Sequence, residues 1–230
     1  MPIDSRKKTI LFTIIKEHIR SGAPVGSSHL VEKYKLDVSP ATVRNNMAEL
    51  EDSGYIIQPH TSAGRIPTEK AYRLYLESIK PKKPSPAEAK ILDFIIDENG
   101  KRNDLRNLAK ELSKTTGQAV FWAFERHNFY YTGVSNLLQQ PEFAHINNVY
   151  MISVIIDRID EILEKVYDRI TDGTHVLLGN DNPFSDFCGS IITKCSINKK
   201  TSLFGILGPL RMNYEKNLGI IEHICSKLAN

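Results

Sequence analysis

The chain has 230 residues, of which 41% are apolar and 25% charged, and its formal net charge is +3 at pH 7. That is the make-up of an ordinary globular protein with room for one large or two modest cores. No apolar run approaches a bilayer span, and Lys16, Glu17, His18 and Arg20 break the N-terminal apolar stretch too early for a secretory signal, so a cytoplasmic protein is expected.

The charge is unevenly spread. Residues 1–80 carry 12 Lys+Arg against 9 Asp+Glu, whereas residues 81–230 carry 18 of each. The whole excess lies in the first third, the direction that favours a phosphate-bearing partner. Three cysteines, Cys188, Cys195 and Cys225, have neither Cys-x-x-Cys spacing nor a nearby histidine pair. They argue against a disulfide framework and a zinc site, and read as buried free thiols.

A first helix is expected over residues 4–21. Asp4 or Ser5 caps it, Ile10, Leu11, Ile14, Ile15, His18 and Ile19 form its apolar stripe, and Gly22 and Pro24 stop it. A short second helix starts at Ser27 or Ser28 and runs through Tyr34; Ser27, Ser28 and His29 at its N-terminus are candidate phosphate contacts. Ser39 caps a third helix, and Pro40 takes its first position, where a missing N–H costs nothing. Val43, Met47 and Leu50 mark the buried face, and Gly54 ends the helix.

The opposite face of that helix carries Ala41, Thr42, Arg44 and Asn45, with Ser39 at its start. Arg pairs with guanine O6 and N7, and Asn with adenine N6 and N7. A helix that buries its back and offers such groups near its N-terminus is built to enter a major groove. Next come a short apolar strand, Tyr55-Ile56-Ile57, the loop His60-Thr61-Ser62-Ala63-Gly64-Arg65, and a return strand from Ile66 that Pro67 cuts short. This is the pattern of a winged helix-turn-helix. His60, Ser62, Gly64 and Arg65 form the wing, small residues approaching a phosphate backbone and Arg65 reaching into a minor groove.

Thr68 caps a further helix over residues 69–78, with Tyr72, Tyr75, Leu76 and Ile79 near one face. Lys80-Pro81-Lys82-Lys83-Pro84-Ser85-Pro86 cannot sustain helix or sheet, so it reads as a stiff basic linker and a domain boundary. The domains expected are 1–80, a linker over 81–86, and 87–230.

In the second domain, helices are expected near 86–99 and 105–115, strands over 118–125 and 129–134, and a long helical region from Pro141 to about Ile170, broken once at 157–160. Strands follow over 174–179, 190–197 and 202–207, the last two joined by the turn Asn198-Lys199-Lys200. An amphipathic helix over 213–228 closes the chain, with Leu218, Ile221, Ile224, Cys225 and Leu228 inward. The fold class is α+β, with an antiparallel sheet and flanking helices.

No Gly-x-Ser-x-Gly, P-loop or His-Glu-x-x-His motif occurs, so no enzyme, metal or cofactor is expected. Gly205-x-x-Gly208-Pro209-x-Arg211 reads as a Gly-Pro turn, and Asp157, Asp160, Glu161 and Glu164 beside Arg158 and Lys165 read as a solvated helix face.

Several blocks together resemble the HrcA family of heat-inducible transcription repressors. They are Pro24-Val25-Gly26-Ser27, Leu36-x-x-Ser39-Pro40-Ala41-Thr42-Val43-Arg44-Asn45, Leu50-Glu51-x-x-Gly54-Tyr55, and the run from Gln58 to Thr68. Gly133 to Phe143 resembles a segment of that family's GAF-like domain, and Gly205 to Tyr214 its C-terminal block. The resemblance implies a repressor of chaperone operons that binds double-stranded DNA at an inverted-repeat operator. It also implies activity sustained by a GroEL-type chaperonin and lost on heat shock.

One departure is large. Longer members carry a dimerising domain between the segments matching Ala119 to Phe124 and Gly133, where this chain has only residues 125–132. An inverted repeat needs a two-fold reader, so a homodimer is expected through another surface, the helix after Pro141 or the C-terminal helix. The rival reading is a small-molecule-sensing regulator whose GAF-like domain holds a ligand against Trp122, Phe124 and Tyr131, although strand aromatics more often form core. A third is an interaction module that has lost operator binding.

Overall fold

A computed structural model describes residues 3–61, 63–97, 102–125, 127–143, 146–197 and 200–228. Ser62, Glu98, Asn99, Ala144, His145, Asn198 and Lys199 of the expected elements lie outside these residues. The chain divides into two compact units, Met1–Ile79 and Lys80–Asn230.

The N-terminal unit opens with α1 (Ser5–Ser21). Asp4 caps it by accepting from the Lys7 N–H at 2.9 Å, and Gly22 closes it at φ 68°, donating to the His18 carbonyl. Helix α2 (Ser27–Tyr34) follows, then α3 (Pro40–Asp52), where Ser39 Oγ accepts from the Thr42 N–H at 3.1 Å. Past α3, Gly54 donates to Glu51 O at 2.8 Å and Tyr55 to Leu50 O at 2.9 Å, the paired bonds of a Schellman stop. Strands β1 (Ile56–Ile57) and β2 (Ile66–Pro67) pair antiparallel, and α4 (Glu69–Leu76) returns to the core. Leu11, Ile14, Leu30, Val43, Leu50, Ile56 and Tyr72 are all buried. Each such side chain contributes roughly 1.5–3 kcal/mol on burial.

Two features of this unit were not visible in the sequence. Val25 forms a third, one-residue rung of the hairpin: Val25 N donates to Arg65 O at 2.8 Å and Arg65 N to Val25 O at 2.9 Å. A Cβ on Gly64 would lie 2.5 Å from the Val25 carbonyl, so only glycine lets the two backbones approach. Glu17, one of the charges that break the N-terminal apolar stretch, is only 2% exposed. It accepts from Arg20 at 2.6 Å, Lys33 at 2.5 Å and Tyr34 at 2.9 Å, and lies 3.0 Å from His29 Nε2. The Arg20 guanidinium, then Lys33, His29 and Tyr34, hold its carboxyl far below the usual carboxylate range against the opposing effect of burial. Glu17 thereby fixes α2 on α1.

The C-terminal unit contains α5 (Pro86–Asp97), α6 (Arg102–Thr116), β3 (Ala119–Glu125), β4 (Asn128–Thr132), α7 (Val134–Leu138), α8 (Ile146–Asp157), α9 (Ile159–Arg169), β5 (Gly173–Leu178), β6 (Cys188–Ile197), β7 (Lys200–Pro209) and α10 (Tyr214–Leu228). The five strands form one antiparallel sheet in the order β4-β3-β7-β6-β5. On one face Phe121, Ala123, Ile192, Leu203 and Leu207 pack under Ile152 and Ile155 of α8 and Ile159, Leu163 and Val166 of α9. The alternate residues Val120, Trp122, Phe204 and Ile206 are buried as well, and α6 and α10 contact the sheet at β3 and β6. Burial on both faces explains why β3 reads as an unbroken apolar run.

Several expectations need correction. The helical region after Pro141 breaks at Arg158, as the pattern suggested, but α7 was not anticipated. On α10 the inward face is Tyr214, Asn217, Ile220, Ile221 and Ile224, while Leu218, Cys225 and Leu228 are only half-buried. Strand β7 runs through Gly208 and Pro209, so the turn comes later, at Leu210 and Arg211. Arg211 then pairs with Glu142 and donates to Gln140 at 2.7 Å, joining the two C-terminal blocks that carry the family resemblance. The Pro/Lys stretch, expected as a stiff linker, packs on the C-terminal unit. Lys82 N donates to Glu215 O at 2.8 Å, and a Cβ on Gly219 would lie 1.9 Å from Lys82 O, so this stretch is seated on α10. All three cysteines are free; Cys188 is buried and the other two half-buried.

Candidate nucleic-acid interface

A groove of about 420 Å³ lies between the start of α2, the outer face of α3 and the β1–β2 hairpin. Ser28, His29, Arg44, Thr61, Gly64 and Arg65 are among its lining residues. Gly26 caps α2 without a side chain, so the first-turn N–H groups of that helix carry no side-chain acceptor beside the groove. A helix end of this kind favours an anion.

The α3 residues differ in what they have left to offer. Ala41, Arg44 and Asn45 are exposed, and among the described residues Arg44 makes no ion pair. Ser39 is exposed but committed as the helix cap, its Oγ also 2.9 Å from Thr42 Oγ1. Thr42 is half-buried. On the hairpin His60 is exposed and Gly64 is held against Val25, while Ser62 is outside the described residues. Of the three candidate phosphate contacts at the start of α2, Ser28 and His29 are exposed, whereas Ser27 is buried at 8% exposure.

Arg65 departs most from expectation. Its side chain is 21% exposed, and its Nε donates to Glu51 Oε2 at 2.8 Å. The other oxygen of Glu51 accepts from the Gln58 N–H at 3.0 Å, and Gln58 Nε2 in turn donates to the Thr61 and Ala63 carbonyls. Glu51 therefore ties α3 to both arms of the hairpin. Instead of being a free arm, Arg65 is first a brace that sets the hairpin beside Arg44. Glu51 and Gln58 were in the sequence blocks quoted above, but no local pattern distinguishes a bracing glutamate from a solvated one.

Two of the three aromatic residues of the rival reading lie in the sheet core. Trp122 is fully buried, stacks on Phe204 at 4.4 Å and donates to Ser202 Oγ at 2.8 Å. Phe124 is 7% exposed, and Tyr131 borders a void of only about 10 Å³. Among the described residues no helix is long and apolar enough to cross a membrane, and no group of three His, Cys, Asp or Glu could hold a metal.

Similarity to known proteins supplies the class. A family model described as HrcA protein C terminal domain matches residues 62–218. The chain is similar to the heat-inducible transcription repressor HrcA of Symbiobacterium thermophilum, at 25% identity over 99% of this chain and 98% of that protein. To its counterpart in Caldanaerobacter subterraneus subsp. tengcongensis it is 26% identical, over 100% and 97%. To that of Beutenbergia cavernae it is 50% identical over 96 residues, 41% of this chain and 27% of that one. A crystal structure of a hypothetical protein at 2.2 Å resolution shares the fold, with a TM-score of 0.73 at 19% identity over 99% of this chain and 98% of that one.

The molecule is thus a transcription repressor and not an enzyme. It belongs to the HrcA family, whose model covers more than half of its length. The alignment with the Symbiobacterium protein runs over 334 positions against a chain of 230, so more than a hundred of them have no counterpart here. Where the family resemblance placed the shortening, β3 pairs with β4, with Glu125 opposite Asn128.

Proposed function

We propose that the N-terminal unit is a winged-helix DNA reader and the C-terminal unit a reduced GAF-like regulatory domain, together repressing chaperone operons from an inverted-repeat operator. In this reading α3 lies in the major groove. Ala41, Thr42, Arg44 and Asn45 face base edges, Ser28 and the open end of α2 meet phosphate, and the hairpin with His60, Ser62, Gly64 and Arg65 rests on the adjacent backbone. The observation that carries it is the uncommitted Arg44, exposed next to Asn45 at the mouth of a groove whose other wall is braced by Glu51 and Arg65.

An inverted repeat requires two heads in fixed relation. The protein therefore acts as a cytoplasmic homodimer. The apolar outer face of α8, with Ile146 79% and Tyr150 66% exposed, is the surface that supports self-association. The C-terminal helix is less suited, because Ile220, Ile221 and Ile224 are already turned inward. A GroEL-type chaperonin sustains the active form, which rests on the family resemblance alone, and heat stress releases it, in keeping with the heat-inducible repressors that the chain is similar to.

Fluorescence anisotropy with Arg44→Ala on a set of single-base operator variants tests the assignment. The expected loss is about 1–3 kcal/mol, confined to the wild-type base at one position. A uniform loss on every variant would make Arg44 a phosphate contact instead.

A further inference from the structure

One unexplained feature of the C-terminal unit is a cleft of about 600 Å³ between α8, α9 and the turn that follows β5. Its wall is apolar, built from residues such as Val154, Ile162, Val166, Leu177 and Phe184. Three cations, Arg158, Lys165 and Arg169, and one carboxylate, Asp181, also line it. Arg158 is engaged with Glu161 at 3.2 Å. Lys165 and Arg169 sit one helical turn apart on α9, are exposed, and among the described residues make no ion pair. An apolar wall beside uncommitted positive charge attracts an anion with an apolar body; a cation would be repelled, and a neutral hydrocarbon would leave the charges unused.

A second observation points the same way. Asn182 borders the cleft at 7% exposure. Its Oδ1 accepts from Phe184 N at 3.3 Å and from Ser190 Oγ at 3.2 Å, which fixes the amide orientation. Its Nδ2 is buried without a hydrogen-bond partner. An unpaired buried donor is costly and rare in native proteins, and an acceptor oxygen supplied by a ligand relieves it.

We propose that this cleft binds an amphipathic carboxylate, with its hydrocarbon body on the α8–α9 wall, its charge in the field of Lys165 and Arg169, and an oxygen accepting from Asn182 Nδ2. The volume lies within the usual range for small-molecule sites of about 300–1,000 Å³. The site is independent of α3 and of DNA, and differs from the aromatic cluster around Trp122.

The test is calorimetric titration of the full chain with decanoate, decanol and decyltrimethylammonium, each below its micellar concentration, with thermal shift read on the same samples. Decanoate should bind at least tenfold more tightly than decanol and raise the melting temperature, and decyltrimethylammonium should do neither. In the surface double variant Lys165→Glu/Arg169→Glu that preference should vanish while decanol binding stays unchanged. Asn182→Asp keeps the acceptor for Phe184 and Ser190 but removes the donor, and should weaken decanoate further. Because Asn182 also braces the turn, the exposed double variant decides the matter. Equal affinity for decanoate and decanol, an unchanged preference in the double variant, or no binding by any of the three overturns the proposal. So does concentration-dependent protection of residues 162–169 of α9 from hydrogen exchange without ligand, which would make the cleft a contact between two chains.

Discussion

In the N-terminal unit the apolar stripes of α1, α3 and α4 are spent on one another, and the open residues in the first two turns of α3 include Ala41, Arg44 and Asn45. In the C-terminal unit the sheet is covered on both faces, yet α8 still shows Ile146, Val149, Tyr150 and Met151 to solvent. The open surfaces are therefore of opposite character. A polar face with an uncommitted cation suits a charged, hydrated partner, whereas an apolar one gains only from a partner that excludes water. The means of support differ as well. Two carboxylates, Glu17 and Glu51, position the polar surface, while stacked aromatics and aliphatics position the apolar one.

Substitutions that remove each kind of support should sharpen this contrast. The largest effect is expected for Trp122→Ala, which empties the space against Phe204 and should cost the C-terminal unit about 3–5 kcal/mol in denaturant unfolding. A loss below about 1 kcal/mol would mean that this sheet face is loosely packed. Glu17→Ala should cost the N-terminal unit about 1–3 kcal/mol, since four side chains lose their common acceptor but can still reach water. The wild-type contribution is pH-dependent. Because the folded carboxyl titrates below its ordinary value of 4.5, this stabilisation is complete above about pH 4.5 and drains away as the pH falls towards the folded value. An acid-unfolding curve that Glu17→Ala leaves unchanged would contradict the role given to this residue.

Gly64→Ala forces a Cβ into the Val25 backbone and should cost about 1–3 kcal/mol, with the hairpin amides gaining hydrogen exchange. Unaltered exchange at Val25 and Arg65 would remove the third rung from the account. The smallest effect is expected for Glu88→Gln. Lys216 and then Ser85 hold that carboxyl down at about 2, but the pair is partly exposed, so the cost should stay below about 1 kcal/mol. Its share of stability is likewise present above about pH 4.5 and lost as the pH falls through about 2.

Local chemistry was readable in advance where one turn of chain decides the outcome. Asp4 and Gly22 bound α1, Ser39 and Pro40 start α3, and the break between α8 and α9 falls at Arg158. The α3 face was readable for the same reason: Val43, Met47 and Leu50 define its back, which leaves Arg44 and Asn45 in front. What escaped notice depends on partners distant in sequence. Glu17 looks like a surface charge until His29, Lys33 and Tyr34 of α2 converge on it. Arg65 looks like a free arm until Glu51 is seen 2.8 Å away, and Asn182 like a loop polar residue until Ser190 of β6 fixes its amide. On α10 the apolar periodicity allowed two overlapping stripes, and packing selected the one through Tyr214 and Asn217.

The central claim is that two copies of this chain present α3 to an inverted repeat. Binding to a full chaperone-operon repeat and to its isolated half-site, across a salt series with light scattering on the same samples, addresses it most directly. The account predicts much tighter binding to the full repeat, two chains per duplex, and an affinity that falls steeply with salt. Equal, weak binding to repeat and half-site, with one chain per duplex, would contradict it.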